Sequence, residues 1–234
     1  MSNDKVLERD TWTKNIRSKN PRIKMRSRVF RLSAALVLVI AVLTGLCGCR
    51  RVEPELRAYP LAMGFDWSDG EYQIYYAMPD LGTYTGEGKT EKTTDLLWIY
   101  RGADYEEIDR MVSQTKEQFV DLGHVQVILL GDGLLENTAA YDETMAYLLR
   151  QPVLGSGSYL FRCEKLDEVM KENGEMTDSL GEYLSDLIHK EYGKEPAVLQ
   201  DLYNAWYNGE PIPKLMIVRV AEEGIEVRKP ESQV

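Results

Sequence analysis

The sequence predicts an α/β domain with a mixed sheet, preceded by an N-terminal export signal. After residue 60, short apolar runs rich in β-branched and aromatic residues alternate with longer segments whose apolar residues recur at helical spacing. This strand–helix–strand–helix–strand order requires crossover connections and parallel strand pairs. With 44% apolar and 28% charged residues in 234, the chain can bury a core.

The export signal is indicated by an uncharged apolar segment at residues 32–46. This segment is shorter than the ~20 residues that a membrane-spanning helix needs. It suits the hydrophobic core of a signal peptide, and three arginines precede it between residues 26 and 31. A start at Met25 would give a signal peptide of ordinary length over residues 25–48, so residues 1–24 are either a basic extension or a mis-assigned start. An uncleaved signal anchor is the alternative.

The signal ends in Leu46-Cys47-Gly48-Cys49, which resembles the bacterial lipobox. We therefore expect cleavage before Cys49 and transfer of diacylglycerol to its thiol. Two acyl chains, at about 0.8 kcal/mol per buried CH₂, give stable anchoring without a spanning helix. Cys163 would be the one remaining free thiol, so no internal disulfide is expected, and its strand context predicts a small buried apolar residue.

The charge is divided between the two parts of the chain. Residues 1–48 carry ten Lys/Arg and three Asp/Glu, whereas the remainder carries 18 basic and 35 acidic residues. A body with a net charge of −17 is repelled by phosphate backbones and anionic headgroups, so nucleic-acid binding is not expected. Only the lipid expected on Cys49, and not the surface charge, would hold this body at a membrane.

After the cysteine, residues 49–60 are predicted to be a lipidated tether and residues 61–234 a single α/β domain. Its first elements are β-rich runs at 61–67 and 72–78, which flank an Asp-Gly pair and predict a hairpin. Residues 96–100 form a continuous apolar run, which is typical of a buried strand.

The next helix is predicted from Asp104, with Glu107 completing a capping box and apolar side chains as far as Phe119 on one face. A buried strand is predicted next at residues 125–130, and the glycine-rich residues 131–133 end it.

A second crossover helix is predicted to bury Met145, Leu148 and Leu149 and to stop before Pro152. The remaining predicted elements form a strand, a short helix, a C-terminal pair of helices and a closing hairpin. They cover residues 158–163, residues 165–172, a helix capped by Ser179, a helix that starts at Pro196, and residues 215–227.

Two glycine-rich segments could suggest phosphate binding. Residues 86–90 end like a phosphate-binding loop, but Thr83 replaces the required glycine and a strand rather than a helix follows. Residues 155–158 also lead into a strand, so they lack the helix dipole that holds phosphate. Neither segment predicts a nucleotide site.

Catalytic and metal-binding groups are sparse. The two histidines, His124 and His189, have no nearby nitrogen or sulfur ligand, so neither a metal site nor a cofactor is expected. Ser156 is a faint candidate for a hydrolase nucleophile. The acidic pairs Glu106/Glu107 and Glu222/Glu223 are expected on solvated faces. The sequence therefore does not predict an enzyme.

Four stretches after the lipobox carry a family resemblance. They are an apolar run ending in Gly-Phe-Asp, a Gly-His-led strand ending in Gly, a Leu-Leu-Arg-Gln-Pro helix end in which Gln151 replaces the family's acid, and a proline-led closing strand; they occupy residues 61–66, 123–131, 147–152 and 213–217. In this order they resemble the N-terminal domain of the spore germinant-receptor C-subunit lipoproteins, the Ger(x)C type.

The resemblance implies a lipid-anchored, non-enzymatic accessory subunit of a nutrient germinant receptor that acts in spore germination. Its partners would be the integral membrane subunits of the receptor, and Cys49 would hold it on the outer face of the spore inner membrane. The family has no catalytic residues to assign. Residues 77–94 match no family motif, and the family usually continues into further domains, so a truncated or divergent member is expected.

Two other functions are compatible with a lipoprotein signal. An extracytoplasmic solute-binding lipoprotein would hold a ligand in the crevice at the ends of the strands. A lipid-anchored hydrolase is the third possibility, and it would depend on Ser156.

Overall fold

The computed structural model describes most of the chain beyond residue 56. Residues 33–37 are helical and belong to the unit Met1–Arg51, which is distinct from the unit Val52–Val234. In the part of the chain that is described, no helix has both the length and the apolar character to cross a membrane. The described residues are 33–37, 57–80, 96–115, 118–176, 178–191, 196–222 and 224–230.

A seven-stranded mixed sheet forms the centre of the unit Val52–Val234. The strands of this unit, which include two outside the seven-stranded sheet, are β1 (Arg57–Ala58), β2 (Ala62–Ser68), β3 (Glu71–Ala77), β4 (Leu97–Gly102), β5 (Phe119–Val120), β6 (Val127–Gly131), β7 (Tyr159–Cys163), β8 (Met216–Ala221) and β9 (Gly224–Arg228). The sheet order is β4-β3-β2-β6-β7-β8-β9, and β2, β6, β7 and β8 are parallel neighbours. β1 and β5 form a separate parallel pair. The predicted α/β class with crossover connections is confirmed.

Helices cover both faces of this sheet. They are α1 (Tyr105–Thr115), α2 (Asp132–Glu136), α3 (Thr138–Leu149), α4 (Leu166–Lys171), α5 (Leu180–Glu191) and α6 (Leu199–Asn208). The buried residues of α1, α2, α3 and α6 share one core with one sheet face, whereas those of α4 and α5 pack on the other. The two C-terminal helices that the sequence predicts thus lie on opposite faces.

The hairpin of β2 and β3 has the predicted Asp-Gly turn. Asp69 and Gly70 have φ angles of 56° and 85°, and Ser68 pairs with Glu71. Two central residues with positive φ define the turn whose twist matches that of the flanking strands, which explains the glycine.

Tyrosines fill much of the core on the first face. The ring of Tyr105 stacks on that of Tyr147 with centroids 4.2 Å apart. The Tyr105 hydroxyl lies 2.6 Å from Thr144 Oγ1, and the Tyr147 hydroxyl donates to Asp109 Oδ1 at 2.9 Å. Burial raises the pKa of both phenols, so they remain protonated. Their rings fill apolar space while their hydroxyls keep hydrogen-bond partners.

Cys163 lies on the second face, where Phe161 and Leu166 belong to the same core. Its side chain is fully buried, and burial raises the pKa of the thiol well above its usual value. The expectation of a small buried apolar residue is confirmed.

The predictions for Phe119 and Leu149 were wrong. α1 ends at Thr115, and Phe119 lies in β5, paired with Arg57 of β1 and 58% exposed. Leu149 is the last residue of α3 and is 52% exposed. Helical spacing fits both positions, but it shows neither that α1 ends before Phe119 nor that the last residue of α3 lies outside the core.

One other local prediction also differs from the structure. The run at residues 96–100 is an edge strand with alternating burial, in which Trp98 and Tyr100 are buried and Ile99 is exposed. β4 is antiparallel to β3, and an antiparallel strand can have one face packed on the core and the other in water, so an apolar run does not require burial on both faces. The strand predicted at residues 125–130 is β6, and Gly131 both ends this strand and is the N-cap of α2.

Candidate functional site

The sheet has two edges at which a functional site could lie. We call the edge where β2, β6, β7 and β8 begin the amino edge, and the opposite one, where they end, the carboxyl edge. The expected lipidation residue Cys49 and the glycine-rich residues 86–90 lie outside the described residues.

Asp66 lies at the carboxyl edge, directly after the last residue of β2 that pairs with β6. Its Oδ1 accepts hydrogen bonds from the backbone N–H of Trp67 at 2.8 Å and of Leu134 at 3.1 Å. Leu134 lies in the first turn of α2, whose N–H groups have no partner within the helix. Since the N-cap Gly131 has no side chain to accept that bond, Asp66 caps α2 from the neighbouring strand.

The glycine at 131 is required by this arrangement. A Cβ there would lie 2.1 Å from the Asp66 Cγ, and a Cβ at Gly133 would lie 2.2 Å from the Trp67 carbonyl oxygen. Two of the stretches that carry the family resemblance, residues 61–66 and 123–131, therefore meet at one close contact.

A second polar contact at this edge also joins two protein groups. Asp132 pairs with Arg162 through two bonds of 2.6 and 2.9 Å. Burial raises the pKa of Asp66, the nearby Asp132 adds to the rise, and the two backbone N–H bonds oppose it. Asp66, Asp132 and Arg162 thus bind other protein groups, which argues against a solute held by these three side chains.

The candidates for catalysis are not brought together. His189 contacts the Ser185 carbonyl oxygen at 2.8 Å and the Tyr159 hydroxyl at 3.4 Å, and the His124 ring packs edge-on against Tyr59 at 4.9 Å. Ser156 lies in the exposed turn before β7, where its carbonyl accepts from Gln200 N–H at 2.8 Å.

The predicted acidic pairs are also peripheral. The Glu107 carboxylate accepts from Ala103 N–H at 2.8 Å beside the Asp104 cap of α1, and Glu222 is exposed. Among the described residues, no cluster of three His, Cys, Asp or Glu side chains could hold a metal ion.

The amino edge is where the chain enters the domain. Arg57 forms an ion pair with Asp121 at 2.5 Å, and its guanidinium lies 6.0 Å from the ring centroid of Phe119. The Asp121 carboxylate also accepts from Gly123 N–H at 3.1 Å. This backbone bond, followed by Arg57, lowers the pKa of Asp121. The contacts fix the β1–β5 pair beside the loop that precedes β6.

Exposed apolar side chains lie beside the loop that precedes β6. Val153 is 60% exposed, and its Cγ1 lies 3.3 Å from the position of a Cβ on Gly123. The turn that contains Val153 follows Leu149 and Arg150 at the end of α3. We call Arg57, Phe119, His124, Leu149, Arg150 and Val153 the amino-edge surface. Sequence reasoning missed it, because it assigned two of these side chains to the core.

One comparison with known proteins gave a match. The family model described as the spore germination protein N-terminal domain matches residues 50–220. The matched region covers more than half of the chain and begins directly after Cys49. Neither a curated protein nor a solved structure matches the sequence.

Proposed function

Because the chain belongs to the spore germination protein N-terminal domain family, we propose that it is a lipid-anchored accessory subunit of a nutrient germinant receptor. The subunit is non-enzymatic, and Cys49 holds it on the outer face of the cytoplasmic membrane that becomes the spore inner membrane. The α/β unit contacts the integral membrane subunits of the receptor. The family match over residues 50–220 is the observation that carries this proposal.

The sequence before the matched region supports the lipid anchor. Cys49 directly precedes residue 50, after a lipobox-like Leu46-Cys47-Gly48 and an apolar signal core. A body with 35 acidic and 18 basic residues has no electrostatic attraction to anionic lipid, so the lipid supplies the affinity.

The geometry of the carboxyl edge supports an accessory role over solute binding. Asp66 caps α2, and Asp132 binds Arg162, so these groups serve the fold. The histidines contact residues other than Ser156, which gives the hydrolase alternative no support.

Mass spectrometry of the mature N-terminus tests the anchor. A glutamyl endopeptidase, which does not cleave before proline, releases Cys49–Glu55 from the cleaved protein, and we expect that peptide to carry a diacylglyceryl group. Cys47→Ala should keep the modification and Cys49→Ala should lose it. An unmodified N-terminus at Cys49 would contradict the proposal.

Co-purification tests the receptor assignment. The lipidated protein, tagged at its C-terminus, is extracted in mild detergent from membranes of sporulating cells, and the co-purifying proteins are identified. We expect integral membrane subunits of a germinant receptor. Recovery of a transporter permease and ATPase instead would favour the solute-binding alternative.

A further inference from the structure

Exposed apolar side chains are concentrated on the amino-edge surface. Within the described residues of the unit Val52–Val234, five large apolar side chains are exposed, and three of them belong to this surface. They are Phe119, Leu149 and Val153, and the others are Ile99 and Tyr207. Single exposed apolar residues are ordinary on proteins, but a group on one surface indicates contact with another apolar phase.

A series of contacts links Phe119 to Val153, and Leu149 ends the helix that leads into the turn containing Val153. Phe119 lies beside Arg57, which pairs with Asp121, and Asp121 holds the Gly123 backbone against Val153. Ser158, in the same loop as Val153, donates to the Val125 carbonyl at 2.8 Å and fixes that loop on the one before β6.

This surface is also poor in acidic residues. The segments that form it, residues 57–61, 118–126 and 149–158, hold two arginines and one carboxylate, Asp121. Residues 49–234 as a whole hold 35 acidic and 18 basic residues. An anionic membrane repels the acidic remainder of the domain more strongly than it repels this surface.

The length of chain to the predicted lipid limits what the surface can reach. Eight residues lead from Cys49 to Arg57, so these two Cα atoms are at most about 28 Å apart. A folded domain of this size has a radius of gyration of roughly 16 Å, so the reach is less than the domain's diameter. The amino edge is therefore held close to the bilayer by its own connection.

We infer that the amino-edge surface rests on the lipid bilayer, with Phe119, Leu149 and Val153 at the level of the headgroups. The inference depends on the proposed lipid anchor at Cys49. The acyl chains supply the affinity, and this surface sets the orientation, so that the carboxyl edge points away from the membrane. Arg150, which is exposed beside Leu149, faces the anionic headgroups.

Site-directed fluorescence on the full lipidated chain tests the orientation. Phe119→Cys and Val153→Cys are labelled with an environment-sensitive fluorophore, and Glu71→Cys is the matched control. Glu71 is exposed at the carboxyl edge and pairs with Ser68, about 20 Å along β2 from Ala62. The buried Cys163 and the lipidated Cys49 should not react, which the unsubstituted chain checks.

The labelled proteins are reconstituted into phosphatidylcholine–phosphatidylglycerol vesicles that contain nitroxide-labelled lipids. We expect several-fold stronger quenching at positions 119 and 153 than at position 71, and the reverse order with aqueous iodide. Circular dichroism confirms that each variant is folded.

Three outcomes would overturn the inference, and the measurements distinguish them. Flotation with equal quenching at all three positions rejects the orientation but leaves the anchor intact. Failure of the lipidated chain to float rejects the anchor, and the inference with it. If native membranes protect positions 119 and 153 from iodide without quenching by nitroxide lipids, a protein partner covers the surface instead of lipid.

Discussion

At the scale of single residues, the contact between Gly131 and Asp66 makes a sharp prediction. We expect Gly131→Ala to destabilise the domain by about 1–3 kcal/mol or more, because the added Cβ would lie 2.1 Å from the Asp66 carboxylate carbon. The backbone of Gly131, at φ −71°, accepts alanine, so the clash alone is responsible. Urea unfolding followed by circular dichroism measures the loss.

The control for this change is Gly157→Ala, which meets no atom within 4 Å and should change stability little. Adding Asp66→Ala to Gly131→Ala removes the carboxylate that the new methyl group meets, so the double variant should lose less than the sum of the two single losses. Additive losses would show that the two side chains do not interact.

Asp121 should make the stability of the folded domain depend on pH. Its pKa is lowered in the folded state, mainly by the Gly123 N–H and further by Arg57, so ionised Asp121 contributes stability above its ordinary pKa of 3.8. That contribution is lost as the pH falls through the lowered folded-state pKa. We expect Asp121→Asn to cost about 1 kcal/mol or less at pH 7, and the difference from the unsubstituted protein to vanish in acid.

Unfolding by urea between pH 3 and pH 7 measures this difference. Asp69→Asn at the tip of the β2–β3 turn, an exposed position, controls for the change in net charge. A stability difference that stays constant across this range would contradict the assignment of the effect to ionised Asp121.

At the scale of elements, the sequence was informative where neighbours along the chain decide the structure. The Asp-Gly turn, the Asp104 cap and the parallel strands β6 and β7 all follow from local chemistry or periodicity. Phe119 was assigned to the helix because its spacing fits, but its backbone pairs with Arg57, which lies far away in sequence. The N-cap of α2 was missed for the same reason, since Asp66 supplies the side chain from another strand.

Asn173 is an element-scale contact that no sequence pattern indicated. Its buried side-chain amide donates to the carbonyl oxygens of Met78 and Leu96 at 3.0 Å, and its oxygen accepts from Leu180 N–H at 2.9 Å. One amide therefore joins the residue after β3, the residue before β4 and the first residue of α5.

Replacement of Asn173 should loosen all three elements. We expect Asn173→Ala to cost about 2–5 kcal/mol, since unpaired buried polar groups cost roughly 1–3 kcal/mol each. Asn173→Asp should cost more, because its charge would face two carbonyl oxygens. Chemical unfolding measures both, with Asn204→Ala, exposed on α6, as the control. An equal effect at the two positions would contradict this role.

At the scale of the whole molecule, functional residues could be predicted only where they are consecutive in the sequence. The signal and Cys49 form one continuous pattern. The amino-edge surface joins residues around 57, 119 and 150, and the fold alone brings them together. Apolar residues at such positions are indistinguishable in sequence from core residues, because periodicity gives the face of an element but not what covers it.

The division between an anchor that binds and a surface that orients can be tested without the lipid. A chain that starts at Arg50 keeps the amino-edge surface and a net charge of −17. We expect it not to co-sediment with phosphatidylglycerol vesicles at physiological salt, because repulsion of the acidic body outweighs three exposed apolar side chains. The lipidated chain should sediment fully under the same conditions. Binding of the unlipidated chain would show that the surface, and not the acyl chains, supplies the affinity.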